Sequence, residues 1–122
     1  MLRCQELLAY KKGFTLAMKI FEISKSFPKD KTYSLTDQIR RSTRSICANM
    51  TESYRERLYP THLLSKLSDY DAENSETQTW IEFAYACNYI SENQFNELND
   101  GSLEVGRLIN YMILNSKTFG SS

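Results

Sequence analysis

The stretch Phe14-Thr15-Leu16-Ala17-Met18-Lys19-Ile20-Phe21-Glu22-Ile23-Ser24-Lys25-Ser26-Phe27-Pro28 decides the fold class. Phe14, Met18 and Phe21 recur at steps of four and three, the period of an α-helix. Leu16, Ile20, Ile23 and Phe27 recur at the same steps on a different side. Pro28 ends the segment, because proline has no N–H to donate and disfavours helical geometry in the residue before it. The spacing predicts a first helix from about Leu7 to Ser26. A helix on the outside of a globular domain needs only one apolar stripe. This one carries two.

The same reading extends downstream. Ser34, followed three residues later by Asp37, resembles a capping box and opens a second predicted helix, to about Arg57. Its stripe is Leu35, Ile39, Ser42, Ile46, Met50 and Ser53, with a polar file of Gln38, Arg41, Ser45, Asn49 and Glu52 beside it. Pro60 stands where proline suits a helix start. A third helix, about Thr61 to Tyr89, carries Leu63, Leu67, Tyr70, Thr77, Ile81 and Ala84 as one stripe and Trp80, Phe83 and Cys87 as another. Ser91 and Gln94 form a second capping-box pattern. They open a fourth helix, to about Ser116, on Phe95, Leu98, Val105, Leu108, Ile109 and Met112. Gly101 and Gly106 inside it cost helix stability but permit close helix approach. Helices of ~20–29 residues, at 1.5 Å per residue, make rods of ~30–45 Å. Short connections make sequential neighbours antiparallel. The expectation is an all-α, up-down-up-down four-helix bundle, one domain over residues 1–122 with a frayed tail at 118–122.

Composition agrees. The chain has 122 residues, 41% apolar and 25% charged, with 4 Gly and 2 Pro; a sandwich or barrel of short strands would need many more turn residues. No apolar run approaches the ~20 residues of a membrane span, and the N-terminus has no signal-like apolar segment. Cys4, Cys47 and Cys87 form no C-x-x-C pair, and an odd count suits reduced thiols. The expected address is therefore the cytoplasm, without a membrane. Net charge is zero, yet residues 1–66 carry 13 Lys/Arg against 6 Asp/Glu, while residues 67–122 carry 2 against 9. A basic half and an acidic half either neutralise one another or attract acidic partners such as nucleic acid.

No catalytic or metal centre is legible, and no cofactor is expected. Di-iron bundles need Glu-x-x-His motifs, whereas this chain has a single histidine, His62, in no such motif. A lone histidine also leaves Ser45 and Cys47 without a base. Glu52 and Glu76 suggest an acid/base pair only weakly; hydrogen bonding to Arg41, Asn49 or Gln78 explains them better. Arg41, Asn49, Glu52, Glu76 and Gln78 are thus read as a structural polar cluster. If it were buried, breaking it would cost ~3–5 kcal/mol. Arg40, Arg44, Arg55 and Arg57, with Tyr54 interleaved, are the candidate nucleic-acid contacts, since cations meet phosphates and tyrosine stacks on unpaired bases.

Glu6-Leu7-Leu8-Ala9-Tyr10-Lys11-Lys12 through Phe27-Pro28 resembles the opening helix of the bacterial "four helix bundle protein" family, also called the large-subunit ribosomal RNA intervening-sequence protein family. Gln38-Ile39-Arg40-Arg41-Ser42 and Ser45-Ile46-x-x-Asn49-Met50-x-Glu52 resemble its second-helix signature. Glu76-Thr77-Gln78 resembles the third, and Val105-Gly106-Arg107-Leu108-Ile109-Asn110 the fourth. The likeness spans nearly the whole chain. It departs at Ser53, where Gly is usual, and at Asn74, where Glu is usual. The resemblance implies a left-handed antiparallel bundle, homopentameric rings and no enzymatic activity. It also implies kinship with the accessory protein of diversity-generating retroelements, which binds a reverse transcriptase and nucleic acid.

Two functional expectations follow. The first is a non-enzymatic oligomeric scaffold or adaptor, whose partner is itself and whose order of five comes from the resemblance. Leu16, Ile20, Ile23, Phe27, Trp80 and Phe83 are its candidate interface, being surplus to a single core stripe. The alternative is an RNA- or DNA-binding accessory protein using the second-helix arginines.

Overall fold

The computed structural model describes residues 2–29, 34–56 and 58–116, and the side chains of these except 2–6, 53 and 54. The tail and Arg57 lie outside the described residues. Four helices run through the described chain: α1 (Leu2–Ser24), α2 (Leu35–Arg55), α3 (Pro60–Ala86) and α4 (Glu92–Leu114). Their ends have local causes. Ser34 Oγ accepts from the Asp37 N–H at 3.2 Å. Pro60 occupies the first turn of α3. Ser91 and Gln94 form a reciprocal capping box at α4. The C-terminus of α3 closes through Asn88, which has φ 62°, a conformation asparagine tolerates better than most residues. The Tyr89 N–H donates to Ala84 O and the Asn88 N–H to Tyr85 O. This is the Schellman arrangement that satisfies otherwise orphaned carbonyls.

Each helix lies beside two neighbours: α1 beside α2 and α4, and α3 beside α2 and α4, with no backbone approach across the diagonals among the described residues. Neighbours run antiparallel. Lys12 and Lys19 of α1 pair with Glu104 and Glu97 of α4, so the numbering rises on one helix as it falls on the other. Arg41–Glu76 and Glu52–Lys66 set the same relation between α2 and α3. The bundle is up-down-up-down. Basic helices lie beside acidic ones, so much of the charge division is neutralised within one subunit.

The core has two apolar halves. One contains Ala9, Ile46, Met50, Leu63, Leu67, Tyr70, Val105, Ile109 and Met112. The other contains Leu16, Ile20, Phe27, Ile39, Ile81, Ala84, Ile90 and Leu98. Between them lies a buried polar layer. Asn74 Nδ2 donates to Ser102 O, and Ser102 Oγ donates to Asn74 Oδ1, both at 3.0 Å. Thr77 Oγ1 lies 2.8 Å from Ser42 Oγ. Whichever of these hydroxyls donates, the other can give its own proton to a carbonyl of its own helix, Ile39 O or Glu73 O. Every member of the layer is therefore satisfied, as buried polar groups must be. Gly106 makes the α3–α4 pair possible: a Cβ there would sit 3.1 Å from Asn74 Nδ2.

One expectation is overturned here. Leu16, Ile20 and Phe27, assigned above to an oligomer interface, are 2%, 1% and 5% exposed and form the subunit's own core. Ile23 and Trp80 are half-buried and pack against that core. The residues turned outward on α1 are Phe14, Met18 and Phe21. The reason is steric. Ala9 and Gly13 share the inner face with Leu16 and Ile20, and only that face lets α1 approach α2 closely.

The polar layer yields a prediction. Asn74→Ala strips Ser102 Oγ of its buried partner, which should lower stability by about 1–3 kcal/mol. A urea midpoint equal to that of the parent would show that the layer contributes nothing.

Candidate functional site

The outer side of α1 carries a second seam. Leu7, Tyr10, Phe14, Ala17 and Phe21 follow three- and four-residue steps, the heptad spacing of a coiled-coil seam, with Met18 alongside. Phe14 is 50% exposed, Met18 45% and Phe21 41%. The Tyr10 and Phe14 rings stack at 6.2 Å between centroids. Across from them α2 contributes Arg40, Arg44 and Cys47, which with Tyr10, Phe14, Ala17, Met18 and Phe21 line a groove of about 250 Å³. Burial pushes the Cys47 thiol pKa up, so it behaves as a packing group rather than a nucleophile.

The arginines assigned to nucleic acid are not equivalent. The Arg40 guanidinium lies over the Phe21 ring, 4.7 Å from its centroid. Its Nε donates to Ser24 Oγ at 2.8 Å, and Nη2 reaches Phe21 O at 3.4 Å. It therefore ties α2 to the end of α1. Arg44 is exposed at the groove rim, and Arg55 is exposed in the last turn of α2, where a cation suits the helix dipole. The Tyr54 side chain and Arg57 lie outside the described residues.

The expected polar cluster is only partly assembled. Arg41 Nη2 donates to Glu76 Oε1 at 3.4 Å and to Gln38 Oε1 at 3.2 Å. Trp80 Nε1 donates to the same Glu76 oxygen at 3.2 Å. Glu52 instead pairs with Lys66 at 2.7 Å, and that carboxylate raises the lysine's pKa through its hydrogen bond and charge. Asn49 and Glu52 lie eight and eleven residues beyond Arg41, roughly 12 and 16 Å along the helix. Gln78 is two residues from Glu76, which turns it about 200° around α3. The Arg41 and Glu76 side chains are 57% and 35% exposed, so the pair is a surface one. It is worth about 0–1 kcal/mol, not the cost of a buried pair. Because Glu52 and Glu76 are held by different partners at different heights, they do not form an acid/base pair. His62 Nδ1 lies 3.3 Å from Glu56 Oε2 at the exposed start of α3, and among the described residues no group of three or more His, Cys, Asp or Glu could hold a metal ion.

The outer side of α3 carries a strip of its own, at the same heptad steps: Asp69, Glu73, Glu76, Trp80 and Phe83. Phe83 is exposed and lies against Trp80 with ring centroids 5.9 Å apart. One Glu73 oxygen is buried without a hydrogen-bond partner. Desolvation raises the Glu73 pKa, helped by the neighbouring Glu76 and Asp69 charges and opposed by Arg41. Arg41 thus serves Glu76 and Glu73, while Asp69 acts on Lys66.

A model of the 23S rRNA-intervening sequence protein family matches residues 5–111. The chain belongs to that family. Among solved structures it is similar to a protein of unknown function from the S23 ribosomal protein family of Bacteroides thetaiotaomicron. The two share 25% identity and a TM-score of 0.79 over 89% of this chain and 97% of that one. No curated protein matches. The likeness to that structure carries the four-helix fold. Among the described residues no helix is long and apolar enough to cross a membrane.

Glu73 supplies a pH test on the dilute, separated chain. A raised native pKa means the folded state binds the proton more tightly than the unfolded one. Stability therefore falls as pH rises from the ordinary carboxylate value through the raised one. Glu73→Gln should make the chain more stable than the parent at pH 7, with the gain shrinking below about pH 4. A lower urea midpoint for Glu73→Gln at neutral pH would contradict this electrostatic account.

Proposed function

We propose that this family member is a non-enzymatic, self-associating scaffold or adaptor. The observation that carries the reading is the outer seam of α1. A four-helix bundle needs one apolar face per helix, and α1 already supplies Ala9, Leu16 and Ile20 to the core. The further run of Leu7, Tyr10, Phe14 and Met18 is exposed and adds nothing to the core, and Phe21 beside it is 41% exposed although Arg40 lies over its ring. Contiguous exposed apolar patches on soluble proteins mark interaction surfaces, and heptad-spaced ones suit docking against another helix. The family resemblance supports a homo-oligomer, with five as its order. The free thiols of Cys47 and Cys87 support a reducing, cytoplasmic setting.

Charge favours the scaffold over the nucleic-acid reading. Lys12, Lys19, Arg41 and Lys66 are engaged by carboxylates of neighbouring helices, and Arg40 is engaged by Ser24 and Phe21. On α2 this leaves Arg44 and Arg55 as exposed cations outside those contacts, a sparse footprint for a phosphate backbone.

Light scattering coupled to size exclusion should give, at micromolar concentration, an integral multiple of the 14.2 kDa chain mass. A mass near 14.2 kDa itself would overturn the scaffold reading.

A further inference from the structure

We propose that the outer strip of α3 is a docking site for a lysine- and arginine-rich amphipathic helix of another protein. This rests on the adaptor reading above and names the kind of partner and the surface that takes it. The strip runs Asp69, Glu73, Glu76, Trp80 and Phe83 at steps of four and three, so these residues line up along one side of the helix. From Asp69 to Phe83 it spans roughly 21 Å. That is about four helical turns, far more than a small ligand covers.

The acidic end is under-compensated within the subunit. Among the described residues, Asp69 and Glu73 take part in no ion pair. Arg41 pairs with Glu76 at 3.4 Å and acts on Glu73 from there. Asp69 acts on Lys66, which Glu52 already holds at 2.7 Å. The Arg41–Glu76 and Glu52–Lys66 contacts also set which α2 residues lie alongside. Ser45 stands beside Glu73 and Asn49 beside Asp69, both half-buried. Being short and uncharged, they leave Arg41 as the one cation that this side of α2 adds to a row of three carboxylates. One Glu73 oxygen is buried without a hydrogen-bond partner, which adds to the cost of charge there. Cations brought by a partner would offset that cost, and the same field refuses acidic partners.

The other end supplies an anchor. Trp80 is half-buried, with its Nε1 donating to Glu76 Oε1 at 3.2 Å. Phe83 stands 53% exposed against it. Aromatic anchors beside a charged row suit a partner that carries both apolar and basic side chains. A helix surface has no open backbone edge to extend, so the partner must bring side chains, as an amphipathic helix does. Its cations would recur one turn apart to meet Asp69 and Glu73, with its apolar residues about two to three turns further on, over Trp80 and Phe83. Nucleic acid has the wrong sign for this surface. A second copy of the strip would set carboxylate against carboxylate. The chain's own α1 seam fits no better. The Phe21–Arg40, Arg41–Glu76 and Glu52–Lys66 contacts put Tyr10 and Phe14 level with Asp69 and Glu73 and leave Phe83 beyond the seam.

Trp80 is the only tryptophan, so its fluorescence reports occupancy of the strip. A synthetic leucine–lysine amphipathic helix, titrated into the full chain at low salt, should shift Trp80 emission to saturation. A leucine–glutamate helix of the same length should not. Asp69→Lys and Phe83→Ala, both at exposed positions, should each weaken binding about tenfold or more. Asp100→Lys, exposed on α4, changes the net charge as much as Asp69→Lys does and should stay within about twofold of the parent. Circular dichroism melting verifies that all three variants fold. No response to the basic peptide, parent-like binding by Phe83→Ala, equal losses in Asp69→Lys and Asp100→Lys, or an equal response to single-stranded DNA would overturn the docking site. The parent's mass by light scattering separates this from the scaffold reading. A monomeric chain that still binds the peptide would overturn self-association and keep the strip; an assembled chain that does not bind it would overturn the strip alone.

Discussion

Gly13 brings α1 so close to α2 that a methyl group in its place would sit 3.3 Å from Ile46 Cγ2. That approach decides which way α1 faces. Ala9, Gly13, Leu16, Ile20 and Ser24 lie on one side of the helix, and the small members let the large ones reach across to Ile39, Ile81 and Leu98. A similar tight fit recurs on the other flank, where a Cβ at Gly101 would meet Leu16 at 3.2 Å. Once that side is turned inward, Tyr10, Phe14 and Phe21 must point to solvent. The exposed seam follows from how the core packs.

The polar layer at mid-height has a different effect. Apolar stripes alone would let helices slide by a turn at modest cost, because one aliphatic contact resembles the next. Asn74 with Ser102 and Thr77 with Ser42 remove that freedom: a slip in either helix pair would leave buried donors and acceptors unmet. Register then fixes height, and height sets the pairs on the surface, Arg41 with Glu76 and Lys66 with Glu52. The outer surface thus depends on hydrogen bonds buried beneath it.

Helix number, order and most ends were legible from periodicity and punctuation. Pro28, Pro60 and the Ser91–Gln94 box act locally, so their effect can be read without knowing the fold. The facing of α1 was not. Its two stripes are equally apolar, and size misleads here, because the larger side chains lie outside. The informative residues were the small ones, Ala9 and Gly13. The polar layer left a trace in the sequence as gaps. Asn74 interrupts the run Leu63, Leu67, Tyr70, Thr77, Ile81, and Ser102 interrupts the run Leu98, Val105, Ile109. Arg41 and Glu76 flank stripes that face each other, so their meeting could be anticipated. Their exposure could not, because depth depends on how far each pair is rotated about its helix axis. The α3 strip was half visible: Trp80, Phe83 and Glu76 stood out, but Asp69 and Glu73, in line with them, belong to no motif of their own.

Phe14 stands in the middle of the exposed α1 seam and is 50% open to solvent. It lines the outer groove with Tyr10, Met18 and Phe21, so a change there acts on the seam and leaves the core untouched. The mass of the Phe14→Glu chain, measured by light scattering at micromolar concentration, tests the scaffold reading directly. The account predicts a parent larger than one chain and a Phe14→Glu chain that loses assembly. Equal masses for the two would contradict it.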